Sequence, residues 1–341
     1  MAIDWSRPYT SDWRVFRVNP STWADADALP GALSAEITRD MGGDAPEVDS
    51  GTLKLEAATF EPGYLRIAMT AVQGGEAERV DVATLLCEGA SSEVDHGSVL
   101  EITGRSVLHP AAVTVVLAGE HVPRGGDGAQ HAARLLRACV HAPVEVYGGF
   151  TLDEAYDFEF GTSHLEAAWQ VLDAGGYIIQ IDGAGRVAIR PKPTNPALTL
   201  DRAGTRLLMP GVKRELDYSD VPNRFTALER GEMATAVNET GSPASRDARG
   251  YWHDETDDAP KRVNGETLAA YAARRLEELS IVPDERTYTR EWWPGVLPGS
   301  VVRGSMEGLS GDMRVESQEI ECSHGLTVQE TASREVHAWA R

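Results

Sequence analysis

The sequence predicts an α+β protein, mainly β, in which two antiparallel, tube-like β-barrels flank a small α/β domain and the second barrel carries a helix-containing insertion. Apolar residues recur at every second position near both ends of the 341-residue chain, which is the period of half-buried strands. Helical spacing with capping signals replaces that period in the middle and returns once among the later strands. The length also favours several domains over one core.

Residues 1–117 are predicted to form the first barrel domain. Within this range Leu65, Ile67 and Met69 alternate with residues that suit the opposite face of a strand. Glycine and proline pairs between such runs supply the turns. Short antiparallel strands of this kind close on themselves or pack face to face, because exposed strand edges aggregate. Similar strand signals occur at residues 13–18, 33–39, 53–55, 80–86 and 99–103.

Residues 118–205 are predicted to form the small α/β domain. A first helix is expected over residues 129–139, where apolar residues share one helical face and Asp127 is placed to cap the first turn. Ser163 and Glu166 have the spacing of a capping box, in which each residue accepts a hydrogen bond from the backbone of the other. This pair predicts the start of a second helix.

A β-hairpin is predicted directly after the second helix. Gly175 and Gly176 end that helix, because glycine adopts the left-handed conformation at little cost. Residues 177–181 and 187–190 have strand character and flank the turn at residues 182–185, Asp-Gly-Ala-Gly. This turn resembles part of a calcium loop but lacks the later acidic ligands, so a plain hairpin turn is the expected structure.

The second barrel domain is predicted from residues 206–235 and 285–341, interrupted by a loop and helix insertion at 236–284. Residues 238–262 are polar and acidic, which is typical of a long surface loop. A helix is expected over residues 266–279 with Asn264 as its cap. Strand patterns then return at residues 288–292, 300–303, 314–322 and 326–331.

Composition limits the possible functions. The chain carries a net charge of −21, which weighs against sequence-independent nucleic-acid binding and against docking on anionic membranes. The sequence has no secretory signal core and no apolar run long enough for a membrane span, so synthesis in a host cytoplasm is expected. The three cysteines, Cys87, Cys139 and Cys322, are far apart and are expected to be small buried hydrophobes.

The search for chemistry predicts no catalytic residue, no cofactor site and no metal site. Nucleotide-binding loops, zinc motifs and the nucleophile elbow are missing from the sequence. The acidic pairs are expected to be solvated charges, although a glycosidase that uses two of them is an alternative. The pairs are Asp153-Glu154, Asp254-Glu255 and Asp257-Asp258. Five histidines are spaced 10 to 13 residues apart, which does not predict a metal site, namely His96, His109, His121, His131 and His141. Cys139 and His141 come closest in sequence, but two candidates without further partners make a poor site.

Another alternative is a carbohydrate- or receptor-binding β module. Such a module would present exposed aromatic rings on one sheet face, and Trp252 and the pair Trp292-Trp293 are the candidates. The competing interpretation of these tryptophans is packing in a core or between subunits.

The order of elements and several short phrases resemble the central hub proteins of phage tails and contractile injection systems. The opening run from Trp13 to Trp23 resembles minor tail proteins of siphophages that infect high-GC Gram-positive hosts. The sequence departs from the family in having Ser300 where aspartate more often follows Pro298-Gly299. The other similar phrases are 51–55, 63–67, 163–191, 220–226, 276–280, 297–302 and 314–331.

The resemblance implies a structural virion protein without enzymatic activity. Hubs of this family form a homotrimer at the distal end of the tail, join the tail tube to the tail tip and enclose part of the DNA exit channel. The implied partners are the tail tube or distal tail protein, the tape measure protein and tip, fibre or spike proteins, with DNA passing through unbound. A hub of a contractile injection or secretion machine is the alternative with the same fold.

Overall fold

The computed structural model describes residues 3–41, 48–56, 59–94, 98–117, 120–201, 211–263, 265–323 and 325–339. Strands account for 50% of it and helices for 13%, so the predicted α+β, mainly β class is confirmed. The strands of the first part are β1 (Thr10–Val18), β2 (Asp25–Leu29), β3 (Ala32–Asp40), β4 (Asp49–Glu56), β5 (Gly63–Gln73), β6 (Glu76–Val94), β7 (Ser98–Arg105), β8 (His121–Val122), β9 (Val144–Val146), β10 (Tyr156–Asp157), β11 (Tyr177–Ile181), β12 (Val187–Pro191) and β13 (Pro196–Leu200).

The remaining strands and the helices complete the list of elements. The later strands are β14 (Lys213–Glu215), β15 (Arg224–Glu229), β16 (Glu232–Val237), β17 (Asp254–Asp257), β18 (Ile281–Glu291), β19 (Val301–Met306), β20 (Leu309–Cys322) and β21 (Leu326–His337). The helices are α1 (His109–Val113), α2 (Gly128–Arg137), α3 (His164–Asp173), α4 (Arg246–Arg249) and α5 (Leu268–Glu278).

The chain divides into two compact units. Unit 1 comprises Met1–Gly211 and Thr287–Ala332, and unit 2 comprises Val212–Arg286 and Ser333–Arg341. Strands β18 and β21 each run through both units. The finer domain boundaries predicted from the sequence stay a prediction.

Unit 1 is built on one large antiparallel sheet. From β21 the strand order is β21-β20-β3-β4-β7-β6-β5-β1-β2, while β19 pairs with β20 and β13 pairs with β19. Strand β20 lies antiparallel to β3, with Ile320 opposite Ile37. The strands predicted for the two barrels therefore share a sheet.

The prediction of two closed barrels needs correction, because the described strands of both predicted barrels form one large open sheet. The physical reason is a shared apolar core. Ile37, Leu53 and Ile67 from the first predicted barrel are buried in the same cluster as Ile320 and Val328 from the second. Burial of apolar side chains from both ends of the chain in one cluster favours pairing between the two sets of strands over separate closure.

The α/β part of unit 1 forms as the local signals predict. The Asp127 side chain accepts hydrogen bonds from the backbone of the first turn of α2, at 3.0 Å from the Ala129 N–H. Ser163 and Glu166 form the predicted capping box of α3. The backbone N–H of Ser163 lies 2.7 Å from the Glu166 carboxylate. Both caps satisfy backbone donors that have no partner within the helix.

Strands β11 and β12 form the predicted hairpin, and β9 joins β12 in parallel. Helix α1 was not predicted. Its five residues are too few to show a helical period. Pro110 lies in the first turn, where a backbone N–H has no partner within the helix, so proline is tolerated there.

Unit 2 contains a three-stranded sheet in the order β16-β15-β17, covered by α5. Phe225 of β15 packs with Tyr271 and Leu276 of the helix. Arg230 and Gly231 connect β15 to β16 with φ of 51° and 85°, the left-handed pair of a tight hairpin turn.

Two predictions for unit 2 need correction. The stretch 238–262 was expected to be a surface loop but contains α4 and β17, because Ser245 caps α4 and β17 pairs in parallel with β15. The predicted cap Asn264 lies outside the described residues. Thr267 caps α5 instead, accepting a hydrogen bond from the Ala270 N–H at 3.1 Å.

Candidate interaction surfaces

The histidines of the sequence occupy separate environments. His121 Nδ1 lies 2.7 Å from the Asp157 carboxylate on neighbouring strands. His131 is on α2, His141 is exposed beyond that helix, and His96 lies outside the described residues. Within the described ranges no three His, Cys, Asp or Glu side chains are grouped to hold a metal ion. The expectation that the chain has no catalytic, cofactor or metal site stays a prediction.

The acidic residues of unit 2 are engaged by neighbouring donors. Asp254 pairs with Arg224 across β17 and β15, and the hydrogen bond from Arg224 lowers the pKa of Asp254. The Tyr271 hydroxyl donates to Asp257, and this hydrogen bond lowers the pKa of Asp257. A general acid needs a raised pKa, so these two carboxylates have the wrong electrostatics for that role.

The Asp-Gly-Ala-Gly turn between β11 and β12 packs directly on β6. A β-carbon on Gly183 would lie 1.7 Å from the Asp81 carbonyl oxygen, so only glycine fits there. The Ala184 carbonyl accepts from Trp23 Nε1 at 2.8 Å and from Arg66 at 2.9 Å. The turn therefore joins the α/β part to the large sheet, a function that the sequence did not predict.

The candidate tryptophans do not form one exposed aromatic face. Trp292 is 5% exposed and belongs to the core of unit 1. Trp252 is half-buried in unit 2, with the Arg224 guanidinium 4.7 Å from its ring centroid and the Arg246 guanidinium 5.3 Å away. These contacts fit the packing interpretation of the tryptophans.

The cysteines behave as small hydrophobes. Cys87 and Cys322 are buried, and burial raises the pKa of both thiols to about 12. Cys139 is half-buried, and burial raises its pKa as well. A thiol with a raised pKa has little thiolate at neutral pH and is a poor nucleophile.

A polar groove of about 410 Å³ lies on the exposed face of β3, β20 and β21 in unit 1. Its lining includes three glutamates and no lysine or arginine. We call this surface the acidic sheet face and define it by Glu36, Thr38, Glu319, Glu321, Thr327 and Gln329.

The acidic sheet face places like charges directly opposite one another. Glu36 of β3 is the register partner of Glu321 of β20. Within the part of the chain that the structure describes, neither carboxylate forms an ion pair, and Glu319 forms none either. Burial and the nearby Glu319 carboxylate raise the pKa of Asp40 at the end of β3. Like charges opposite each other destabilise a sheet, so the arrangement has a cost in folding stability.

Only part of the acidic sheet face was predictable from the sequence. Alternation along residues 33–39 predicted a strand with Glu36 on its polar face, and residues 314–322 were predicted as a strand. The pairing of β3 with β20 was not predictable, because no local feature connects two segments so far apart in the chain.

Among the described residues, no helix is both long enough and apolar enough to cross a membrane.

Comparison with known proteins shows the fold. No protein-family model and no curated protein sequence matches the chain. The 43 kDa tail protein of prophage MuSo2 from Shewanella oneidensis superposes with a TM-score of 0.64 at 15% identity, covering 97% of this chain and 100% of that one. The tail protein from Neisseria meningitidis MC58 superposes with a TM-score of 0.63 at 15% identity, covering 96% of this chain and 97% of that one. The chain therefore has the fold of these tail proteins, as the sequence resemblance implied.

Proposed function

We propose that the protein is a non-enzymatic structural component of a phage tail, a homotrimeric hub at the distal end that joins the tail tube to the tail tip. Two observations support this proposal. The first is the fold, which extends over nearly the whole length of this chain and of two tail proteins. The second is the acidic sheet face, where Glu36 and Glu321 place like charges opposite each other at a cost in stability.

The acidic sheet face supplies the link to function. A passage for DNA needs walls that do not bind phosphates, and carboxylates without neighbouring cations repel them. The glutamate pair Glu36 and Glu321, with Glu319 beside it, forms such a wall. We assign this face to the channel of the trimer, and this single observation carries the proposal that the hub forms part of the DNA exit path.

The partners follow from that position. One end of the ring would contact the tail tube or distal tail protein, and the other end would contact tip, fibre or spike proteins. The tape measure protein and then the DNA would occupy the channel. The location that follows is the tail tip of the virion.

The trimer is tested by light scattering with negative-stain imaging over a wide range of protein concentrations. The expected result is a ring with three times the 36.9 kDa chain mass and a hole wide enough for duplex DNA. A monomer at every concentration would overturn the trimer.

The channel is tested separately by charge reversal. The variant Glu36→Lys/Glu319→Lys/Glu321→Lys should bind duplex DNA in a salt-dependent way, because each lysine near a phosphate releases counterions. The matched control reverses three exposed glutamates elsewhere, Glu154, Glu159 and Glu232, and has the same net charge. Equal DNA affinity of the two variants in an electrophoretic mobility assay would overturn the channel assignment and leave the trimer untouched.

A further inference from the structure

A second cavity of about 410 Å³ lies in unit 1 where β1, β5 and β6 meet the start of α1. Three prolines, Pro20, Pro62 and Pro110, contribute to its wall, together with Leu86. Tyr64 and His141 also line it. Proline rings and an aliphatic side chain give the cavity an apolar wall, which favours an occupant with apolar surface.

Tyr64 is the central polar residue of this cavity. It is 6% exposed, and its ring packs edge-on against Trp23 at 5.0 Å and His141 at 6.3 Å between centroids. Its hydroxyl has no hydrogen-bond partner among the described residues. Burial, together with the Glu88 carboxylate, raises the pKa of Tyr64, so the phenol stays protonated. Tyr64 lines the cavity, and its hydroxyl can form a hydrogen bond with a polar group of an occupant.

The charge at the mouth of the cavity is negative. Arg17 is already paired with Glu61, at 2.7 Å. Glu88 lines the same cavity, is exposed, and forms no ion pair within the described residues. Strand pairing sets Tyr64 opposite Leu86, and both residues line the cavity together with Glu88. Among the described lining residues, Glu88 is therefore the one carboxylate without an ion-pair partner.

We propose that this cavity is an anchor site for an arginine side chain of a partner protein. The apolar stem of arginine would pack on the prolines and Leu86, which matches the way long basic side chains bury their methylene groups. The planar guanidinium would donate to the Glu88 carboxylate and to the Tyr64 hydroxyl together, which the single ammonium of lysine does less well. The side chain of one arginine thus satisfies the apolar wall, the free hydroxyl and the free carboxylate.

The test uses blocked amino acids as probes at pH 8. Saturation-transfer difference NMR with N-acetyl-arginine amide should show transfer to the side-chain methylene protons. The lysine amide should bind more weakly, and the leucine and glutamate amides should show little or no transfer. Equal binding of the leucine and arginine probes would overturn the proposal in favour of a plain apolar pocket, and no binding of the arginine probe would overturn it outright.

Variants assign the binding to the proposed groups. Glu88→Gln should weaken N-acetyl-arginine amide about five- to tenfold, because a charge-assisted hydrogen bond is lost. Tyr64→Phe should weaken it about threefold and keep the ring packing. The control Glu321→Gln removes the same charge from the acidic sheet face and should leave binding unchanged. Loss of binding to the same extent in Glu88→Gln and Glu321→Gln would overturn the site. Circular dichroism confirms that each variant is folded.

Discussion

Asp49 in unit 1 and Asp284 in unit 2 are both buried aspartates next to arginine, yet their pKa values are shifted in opposite directions. Asp49 is 2% exposed, and its nearest ion-pair partner is Arg39 Nε at 3.8 Å. Burial raises the pKa of Asp49 to about 6, against the opposing charge of Arg39. Burial would also raise the pKa of Asp284, but hydrogen bonds from Arg286 and Arg214 outweigh it and hold that pKa at about 2.

The two carboxylates differ in the number and geometry of their hydrogen-bond donors, and this difference follows the direction of the two pKa shifts. Arg214 Nε lies 2.9 Å from Asp284, Arg334 lies 3.2 Å away, and Arg286 donates to both carboxylate oxygens. In unit 1 neither Arg39 Nε nor Asp49 Oδ2 has a hydrogen-bond partner among the described residues. A buried pair at 3.8 Å without hydrogen bonds does not offset the loss of hydration.

The largest effect is expected from Asp284→Asn. The change removes a buried carboxylate that three arginines share, and breaking a buried ion pair costs about 3–5 kcal/mol of unfolding free energy, with the lower end expected because Arg214 and Arg334 are partly exposed. Urea unfolding followed by circular dichroism at pH 7 measures the loss. The matched control is Asp312→Asn, which removes the surface pair with Arg303 and should change little. An equal loss in both variants would contradict the comparison.

Asp49→Asn is expected to change how the free energy of unfolding depends on pH. Because the folded pKa of Asp49 is about 6 and its ordinary value is 3.8, the folded state binds the proton more tightly. The stabilisation that protonated Asp49 contributes is therefore complete below about pH 4 and is lost as the pH rises to about 6. Wild type should lose about 2–3 kcal/mol between these limits relative to Asp49→Asn. Thermal unfolding of both proteins from pH 4 to pH 8 measures the difference, and the same pH dependence in wild type and variant would break the comparison.

Local sequence signals predicted the short-range parts of the fold. Asp127, Ser163 and Glu166 were correctly placed at helix starts because a cap depends on residues within one turn. The hairpin of β11 and β12 was predicted for the same reason. Asn264 was assigned as a cap in a polar stretch with several candidates, and the cap is Thr267.

Long-range pairings were not predictable, and they determine the candidate surfaces. Alternation placed Glu36 on a polar face, but its position opposite Glu321 depends on pairing between strands from the two ends of the chain. The same limit applies to Asp49 and Asp284, because their acidities depend on which arginines fold against them. A single sequence contains no local record of those partners.

A third buried carboxylate sharpens the comparison with a smaller effect. Glu330 is fully buried in unit 1 and accepts from Arg290 at 2.5 Å, from Gln318 at 2.7 Å and from the Tyr288 hydroxyl. Burial and Glu330 raise the pKa of Tyr288 well above its usual value, so the hydroxyl remains a donor. If donors set the stability of buried carboxylates, Tyr288→Phe should cost about 1–2 kcal/mol in urea unfolding. No loss would show that the other two donors suffice.

The smallest effect is expected where the carboxylates are exposed and have no donors. Glu321→Gln removes the repulsion with Glu36 and should raise the unfolding free energy by about 0.2–1 kcal/mol at low salt. The matched change Glu101→Gln on the same sheet removes a carboxylate 3.3 Å from Lys54 and should lower stability slightly instead. Both effects should disappear in 1 M salt, because screening then acts over about 3 Å.

The sign of the Glu321→Gln change connects the comparison to function. A substitution that stabilises the sheet by removing charge shows that the wild-type glutamate is retained at a cost in stability. Differential scanning calorimetry at low and high salt measures the change with Glu101→Gln as the reference. If Glu321→Gln were destabilising at low salt, the glutamate would have a stabilising partner. That result would contradict the proposal that the acidic sheet face is a channel wall that repels phosphate.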